Sequence, residues 1–176
     1  MTLTLKDLTK DISKIDTEDV LSCWKWLLPD TKNIVAISCL GDLFLARQDN
    51  SIHWLQADCG NLTKVADNLE EYQKLLTDED NLDNWFLPLL IEKLLAIGKI
   101  LKENEVYSYL KIPVLGGEYS VDNIMPTDIS VHFAFFGQVC EQIKDLPDGT
   151  EVKIKFDNEK QRTTFGLPPG WLTNKS

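Results

Sequence analysis

The stretch "NIVAISCLGDLFLARQDNSIHWLQADCGNLTKV", Asn33 to Val65, decides the fold. Within it "NIVAIS", "DLFLA" and "SIHWLQA" are short and rich in β-branched and aromatic residues. Turn residues separate them, Gly41 at one break and Asp49 and Asn50 at the next. This pattern predicts a β-meander. Asp58 to Asn61 forms another turn, and Leu62 to Val65 can add a strand.

Working outward, Thr17, Glu18 and Asp19 open a helix with acids at the positive end of its dipole. Val20, Trp24, Leu27 and Leu28 supply its apolar face, and Pro29 stops it. Beyond the meander, Asp67 or Asn68 caps a helix with Leu69, Tyr72, Leu75 and Leu76 on one face. A second helical stretch runs from about Asp80 to Leu101, and Pro88 either kinks it or begins a new helix as its first residue. Leu90, Leu94, Ile97 and Leu101 form its stripe, with Gly98 explained by a close packing contact.

"EVYSYL" reads as a strand. After Pro126, Ile129, Val131, Phe133 and Phe135 alternate like a strand, while Ile129, Phe133, Phe136, Cys140 and Ile143 keep helical spacing. The helix is favoured, because its pattern lasts longer and begins at a cap. "LPDGT" is a turn, "EVKIKF" alternates like a strand with a charged outer face, and the tail "GLPPGWLTNKS" is expected to be loosely held. The expected fold class is α+β: an antiparallel β-meander sheet packed against several helices, in one domain over residues 1–176.

The 28 acidic and 18 basic residues leave a formal charge of -10. Phosphate contacts need clustered Lys and Arg, so nucleic acid is not an expected partner; a charged partner should be basic. Cys23, Cys39, Cys59 and Cys140 are widely spread, with no C-x-x-C pair and no His at ligand spacing. Neither a zinc site nor a dithiol motif is expected. The N-terminus lacks an apolar signal region, and runs such as "WFLPLLI" are too short to span a bilayer, so a cytoplasmic address and no membrane are expected.

In "VLGGEYSVDN", Val114 to Asn123, the double glycine lacks the G-x-G-x-x-G spacing of a dinucleotide site and the Gly-Lys-Ser or Gly-Lys-Thr of a phosphate loop. A turn with positive φ at Gly116 or Gly117 accounts for it. No G-x-S-x-G elbow is present, and only His53 and His132 could activate a cysteine. On one helix, Cys140 and His132 would stand about 12 Å apart, too far for direct proton transfer. A calcium loop starting at Asp78 fails, because Asp83 stands where glycine is due and Leu89 where the closing Glu is due. No cofactor or metal is therefore expected. What remains is an acidic cluster: Glu70, Glu71, Asp78, Glu79, Asp80 and Asp83, with Asp67 beside them and only Lys74 as a base. It is either a solvated helix face or a docking surface for a basic protein.

"GDLFL", "HWL", "LGGEY", N-x-x-P-x-D at Asn123 to Asp128, H-x-x-x-x-GQ at His132 to Gln138, and "LPDGT" together resemble the carboxy-terminal domain of the Tdi-type type VI secretion immunity proteins. The resemblance covers roughly Asp19 to Ile154. It implies a non-enzymatic cytoplasmic protein that binds and blocks a cognate toxin, in the best known branch a DNase. Family members often carry a longer N-terminal region, which this chain has at most in shortened helical form. The motif residues Gly41, Asp42, Trp54, Gly116, Gly117, Tyr119, Asn123, Asp128, His132, Gly137 and Gln138 are expected to specify turns and caps rather than contacts. The rival readings are a small-ligand regulatory module with Trp54, Tyr119 and His132 around a pocket, and a hydrolase using carboxylates or a Cys and His pair. Oligomeric state is not legible.

Overall fold

The computed structural model describes residues 3–147 and 149–154. Four strands, β1 (Thr31–Ile37), β2 (Leu43–Arg47), β3 (Ile52–Gln56) and β4 (Asn61–Ala66), form an antiparallel sheet in chain order, the expected meander. Its turns follow from chemistry. Gly41 at φ +84° and Asn50 at φ +67° take left-handed conformations, and the Asp49 carboxylate accepts the Ser51 N–H at 3.0 Å. β2 is buried on both faces. Phe44 packs on one side against Trp54, Tyr72, Trp85 and Phe86, while Leu43 and Leu45 point to the other and are fully buried too.

The helices are α1 (Leu5–Leu8), α2 (Thr17–Ser22), α3 (Leu69–Leu75), α4 (Glu79–Phe86), α5 (Pro88–Ala96) and α6 (Ile129–Ile143). Asp16 caps α2, accepting the N–H groups of Glu18 and Asp19. The helix expected to reach Leu28 ends at Ser22, and irregular turns continue to Pro29. There Trp24 drops into the core and donates its indole N–H to the Phe133 carbonyl at 3.0 Å. Pro88 starts a new helix rather than kinking one: Leu87 takes φ +45°, ψ +56° between α4 and α5. The stripe expected to run through Leu101 also stops early. Gly98 sits at φ +79° with nothing within 4 Å of where a Cβ would be, so it ends the helix instead of serving a close contact.

"EVYSYL" contributes β5 (Glu105–Tyr109), which pairs antiparallel with a strand the sequence reading lacked, β6 (Ile124–Asp128). Pro126 lies in β6 opposite Tyr107, tolerable in a two-stranded ribbon where a proline need not donate. The ribbon is tied to the meander by the Tyr107 N–H, which donates to the Cys39 carbonyl at 2.7 Å. From Ile129 the helical pattern prevails over the alternating one. Asp128 caps α6 by accepting the Ser130 and Val131 N–H groups, and Ile129, Phe133, Phe136 and Cys140 are buried. Gly137 lets α2 close on α6, since a Cβ there would lie 2.6 Å from the Cys23 carbonyl oxygen.

The strand expected in "EVKIKF" does not form over Glu151 to Ile154, although Ile154 packs on the core. Alternation selects a face, but a strand also needs a neighbour for its N–H and C=O groups, and Glu151 to Ile154 pair with none of the described strands. Lys155, Phe156 and the tail lie outside the described residues.

Candidate functional site

The two glycines of "LGGEY" serve different needs. Gly116 ends a short 3-10 turn at φ +83°, and a Cβ on Gly117 would lie 1.9 Å from the Lys111 carbonyl oxygen. Their amides are already spent: Gly116 N–H donates to the Pro113 carbonyl at 2.8 Å and Gly117 N–H to the Ile112 carbonyl at 3.0 Å. Neither glycine amide is therefore left free for a phosphate. Asn123 clamps the loop, accepting the Lys111 N–H at 2.8 Å and donating to the carbonyls of Lys111 and Glu118. Tyr119, still 61% exposed, donates its hydroxyl to Asp58 at 2.7 Å.

Gly41, Asp42, Trp54 and His132 meet at the far end of the meander. A Cβ on Gly41 would lie 2.2 Å from His132 Nε2. His132 Nε2–H donates to the Gly41 carbonyl at 3.0 Å, which leaves Nδ1 to accept from Ser108 Oγ at 2.9 Å. The ring stacks on Phe136 with centroids 4.4 Å apart, and burial pushes its pKa down to about 4. His132 is thus neutral and fully hydrogen-bonded at pH 7. Asp42 accepts from Trp54 Nε1–H at 3.1 Å and from Ala57 N–H at 3.0 Å. Burial, with the nearby Asp58 charge, still holds its pKa up at about 8.

Neither rival chemistry finds a convergent centre in these groups. Trp54, Tyr119 and His132 do not share a pocket wall, because His132 is shut in the core at 1% exposure while Tyr119 is on the surface. A cleft of about 430 Å³ beside the end of α6 is lined by Trp26, Cys59, Cys140, Ile143 and Lys144 among others. Burial pushes the Cys59 thiol up to about 11 and that of Cys140 up to about 12, which keeps both protonated. Cys140 donates to the Ala57 carbonyl at 3.7 Å, away from the partners of His132. Among the described residues, no three His, Cys, Asp or Glu side chains gather at metal-binding range.

The acidic cluster divides into two sets. Glu71 accepts the Asp67 N–H at 2.6 Å, and Asp78 caps α4 by accepting the Asn81 N–H at 3.1 Å, so these two organise helix starts. Glu70, Glu79, Asp80 and Asp83 are exposed and make no ion pair among the described residues; Asp67 is paired with Lys64. On α4 the buried Trp85 and Phe86, with half-buried Leu82, face the core, and helical spacing places Asp80 and Asp83 on the outside. Next to this face lies a feature that sequence reasoning missed: Leu87, Leu89, Leu95, Ile97 and Ile100 are all exposed. Ile97, expected on the core stripe, is 54% exposed. Apolar identity alone carries no signal that separates such residues from core.

Residues 66–140 match the family model of T6SS immunity protein Tdi1, C-terminal. The match confirms, over that segment, the resemblance carried by the motifs. It runs from the end of β4 to Cys140 in α6 and so takes in the acidic helices, α5 and the β5–β6 ribbon. It supports an immunity role. Gly41, Asp42 and Trp54 lie before the matched segment, while Gly116, Gly117, Tyr119, Asn123, Asp128, His132, Gly137 and Gln138 lie inside it. No curated protein matches the chain. The crystal structure of Atu4351 from Agrobacterium tumefaciens is similar at a TM-score of 0.48 and 15% identity, over 70% of this chain and 65% of that one. The chain therefore spans just under two thirds of that protein's length. No helix among the described residues is long and apolar enough to cross a membrane.

Proposed function

We propose that this protein is an immunity protein that binds a cognate secreted toxin in the cytoplasm and neutralises it by covering its working surface, one molecule for one. The observation that carries this reading is the family match over residues 66–140. Two physical features accord with it. The chain carries a formal charge of -10, and four exposed acids of α3 and α4 stand without ion-pair partners among the described residues. A nuclease must present a basic surface to hold DNA, so an acidic protein can occupy that surface in place of phosphate. A binding role asks for no reacting group, and the buried histidine, held neutral, and the buried Cys140 thiol, held protonated, accord with it.

The test is to reverse Glu70, Glu79, Asp80 and Asp83 to Lys together and to measure association with the toxin encoded by the neighbouring gene. Association at low salt should slow by about ten-fold or more, since steering depends on summed charge. An unchanged association rate would remove this face from the interface.

A further inference from the structure

Leu87 combines two unfavourable features. Its backbone is left-handed at φ +45°, ψ +56°, a conformation that helix ends ordinarily give to Gly or Asn, and its side chain is 39% exposed. Pro88 follows it, which restricts its backbone further. The left-handed geometry does useful local work, since Leu87 N–H closes α4 onto the Asp83 carbonyl at 3.2 Å and Pro88 then begins α5. A glycine would provide the same turn without strain. With that alternative open, the exposed part of the leucine asks for a reason.

Its surroundings supply one. Of eleven exposed large apolar residues among those described, five fall between positions 87 and 100: Leu87, Leu89, Leu95, Ile97 and Ile100. The acids Glu79, Asp80 and Asp83 of α4 border this stretch on the N-terminal side, unpaired among the described residues, and α5 itself carries Glu92 and the exposed Lys93. At the start of α5, Leu87 and Leu89 beside these acids have the composition of a protein-binding face, with anchors that exclude water and a rim that selects by charge.

We propose that the α4–α5 junction is the docking centre for the toxin, a basic protein that places aliphatic or aromatic side chains over Leu87 and Leu89 while its Lys and Arg residues meet Glu79, Asp80 and Asp83. The proposal rests on the immunity reading and adds the location and chemistry of the contact. The acids bring the partner in, and the apolar centre holds it.

Two variants test it against the toxin encoded by the neighbouring gene. Leu87→Gly relieves the backbone and gives up the covered part of the side chain, so its unfolding midpoint should stay close to that of the unaltered protein while the Kd for the toxin rises ten-fold or more. The double variant Leu89→Ser with Ile97→Ser, which changes exposed positions only, should also raise Kd at least ten-fold, through faster dissociation. Unaltered Kd in both variants overturns the proposal and leaves the immunity reading standing. Failure of the original protein to bind the toxin removes the immunity reading and this proposal with it. A dimer of the original protein that the double variant abolishes, with toxin binding intact, would assign the face to a second copy and overturn the proposal too.

Discussion

Replacing Asp42 by Asn should flatten the dependence of stability on pH between pH 6.5 and 8. Burial, with Asp58 nearby, holds the Asp42 carboxyl at about 8 in the folded chain against an ordinary value of 3.8. The folded state then binds this proton more tightly than the unfolded state does. Its contribution is complete below the unfolded value and is lost as pH rises toward 8, at about 1.4 kcal/mol per pH unit. His132 acts with the opposite sign. Its folded pKa of about 4 lies below the ordinary 6.5, so stability is present above pH 6.5 and lost as pH falls toward 4. Between pH 4 and 6.5 the two slopes oppose each other, and above 6.5 only Asp42 remains, with about 2 kcal/mol lost by pH 8. The Asn variant carries no titrating group there. Its amide can accept only one of the two hydrogen bonds now given by Trp54 and Ala57, which adds a pH-independent cost of about 1 kcal/mol. Urea unfolding followed by tryptophan fluorescence at half-unit steps measures both effects. Parallel curves for the two proteins from pH 6.5 to 8 would refute the reasoning.

Tyr72→Phe should stabilise the protein by about 1 kcal/mol, because the Tyr72 hydroxyl is buried without a hydrogen-bond partner among the described residues while its ring packs on Phe44 and Trp85. A lower urea midpoint in the variant would show that the hydroxyl is satisfied. Under the proposed immunity role, association of the unaltered protein with the toxin should slow steeply as ionic strength rises through 0.1 M, where charges more than about 10 Å apart are screened. The Lys-reversed protein should show a much shallower salt dependence in the same stopped-flow experiment.

The meander was legible because its β-branched alternation is interrupted by residues that can turn, Gly41 and the Asp49–Asn50 pair. β6 was not, because Pro126 argues against a strand unless one knows that its partner asks for no donor at that position. The end of α5 was misplaced for a related reason. Ile97 continues the helical spacing, but Gly98 stops the helix through its backbone, which side-chain periodicity does not register. Gly41 and Gly116 were legible as turns, whereas Gly137, expected to mark a turn or cap, lies inside α6 and serves the close approach of Cys23. The sequence did not show that Gly117 and Gly41 are also points where another group approaches within the space of a Cβ.

The acids of α3 and α4 could be found by composition, although the capping roles of Glu71 and Asp78 emerge only from their hydrogen bonds. The exposed leucines and isoleucines between positions 87 and 100 were unreadable, since a helix stripe looks the same whether its apolar residues face the core or the solvent. Exposure had to be measured on the folded chain.

The proposed immunity role is tested most directly by titrating with this protein the toxin that a neighbouring reading frame encodes and following that toxin's activity, on DNA if it is the nuclease proposed. Activity should fall linearly and vanish at one equivalent. Full activity in the presence of excess protein would contradict it.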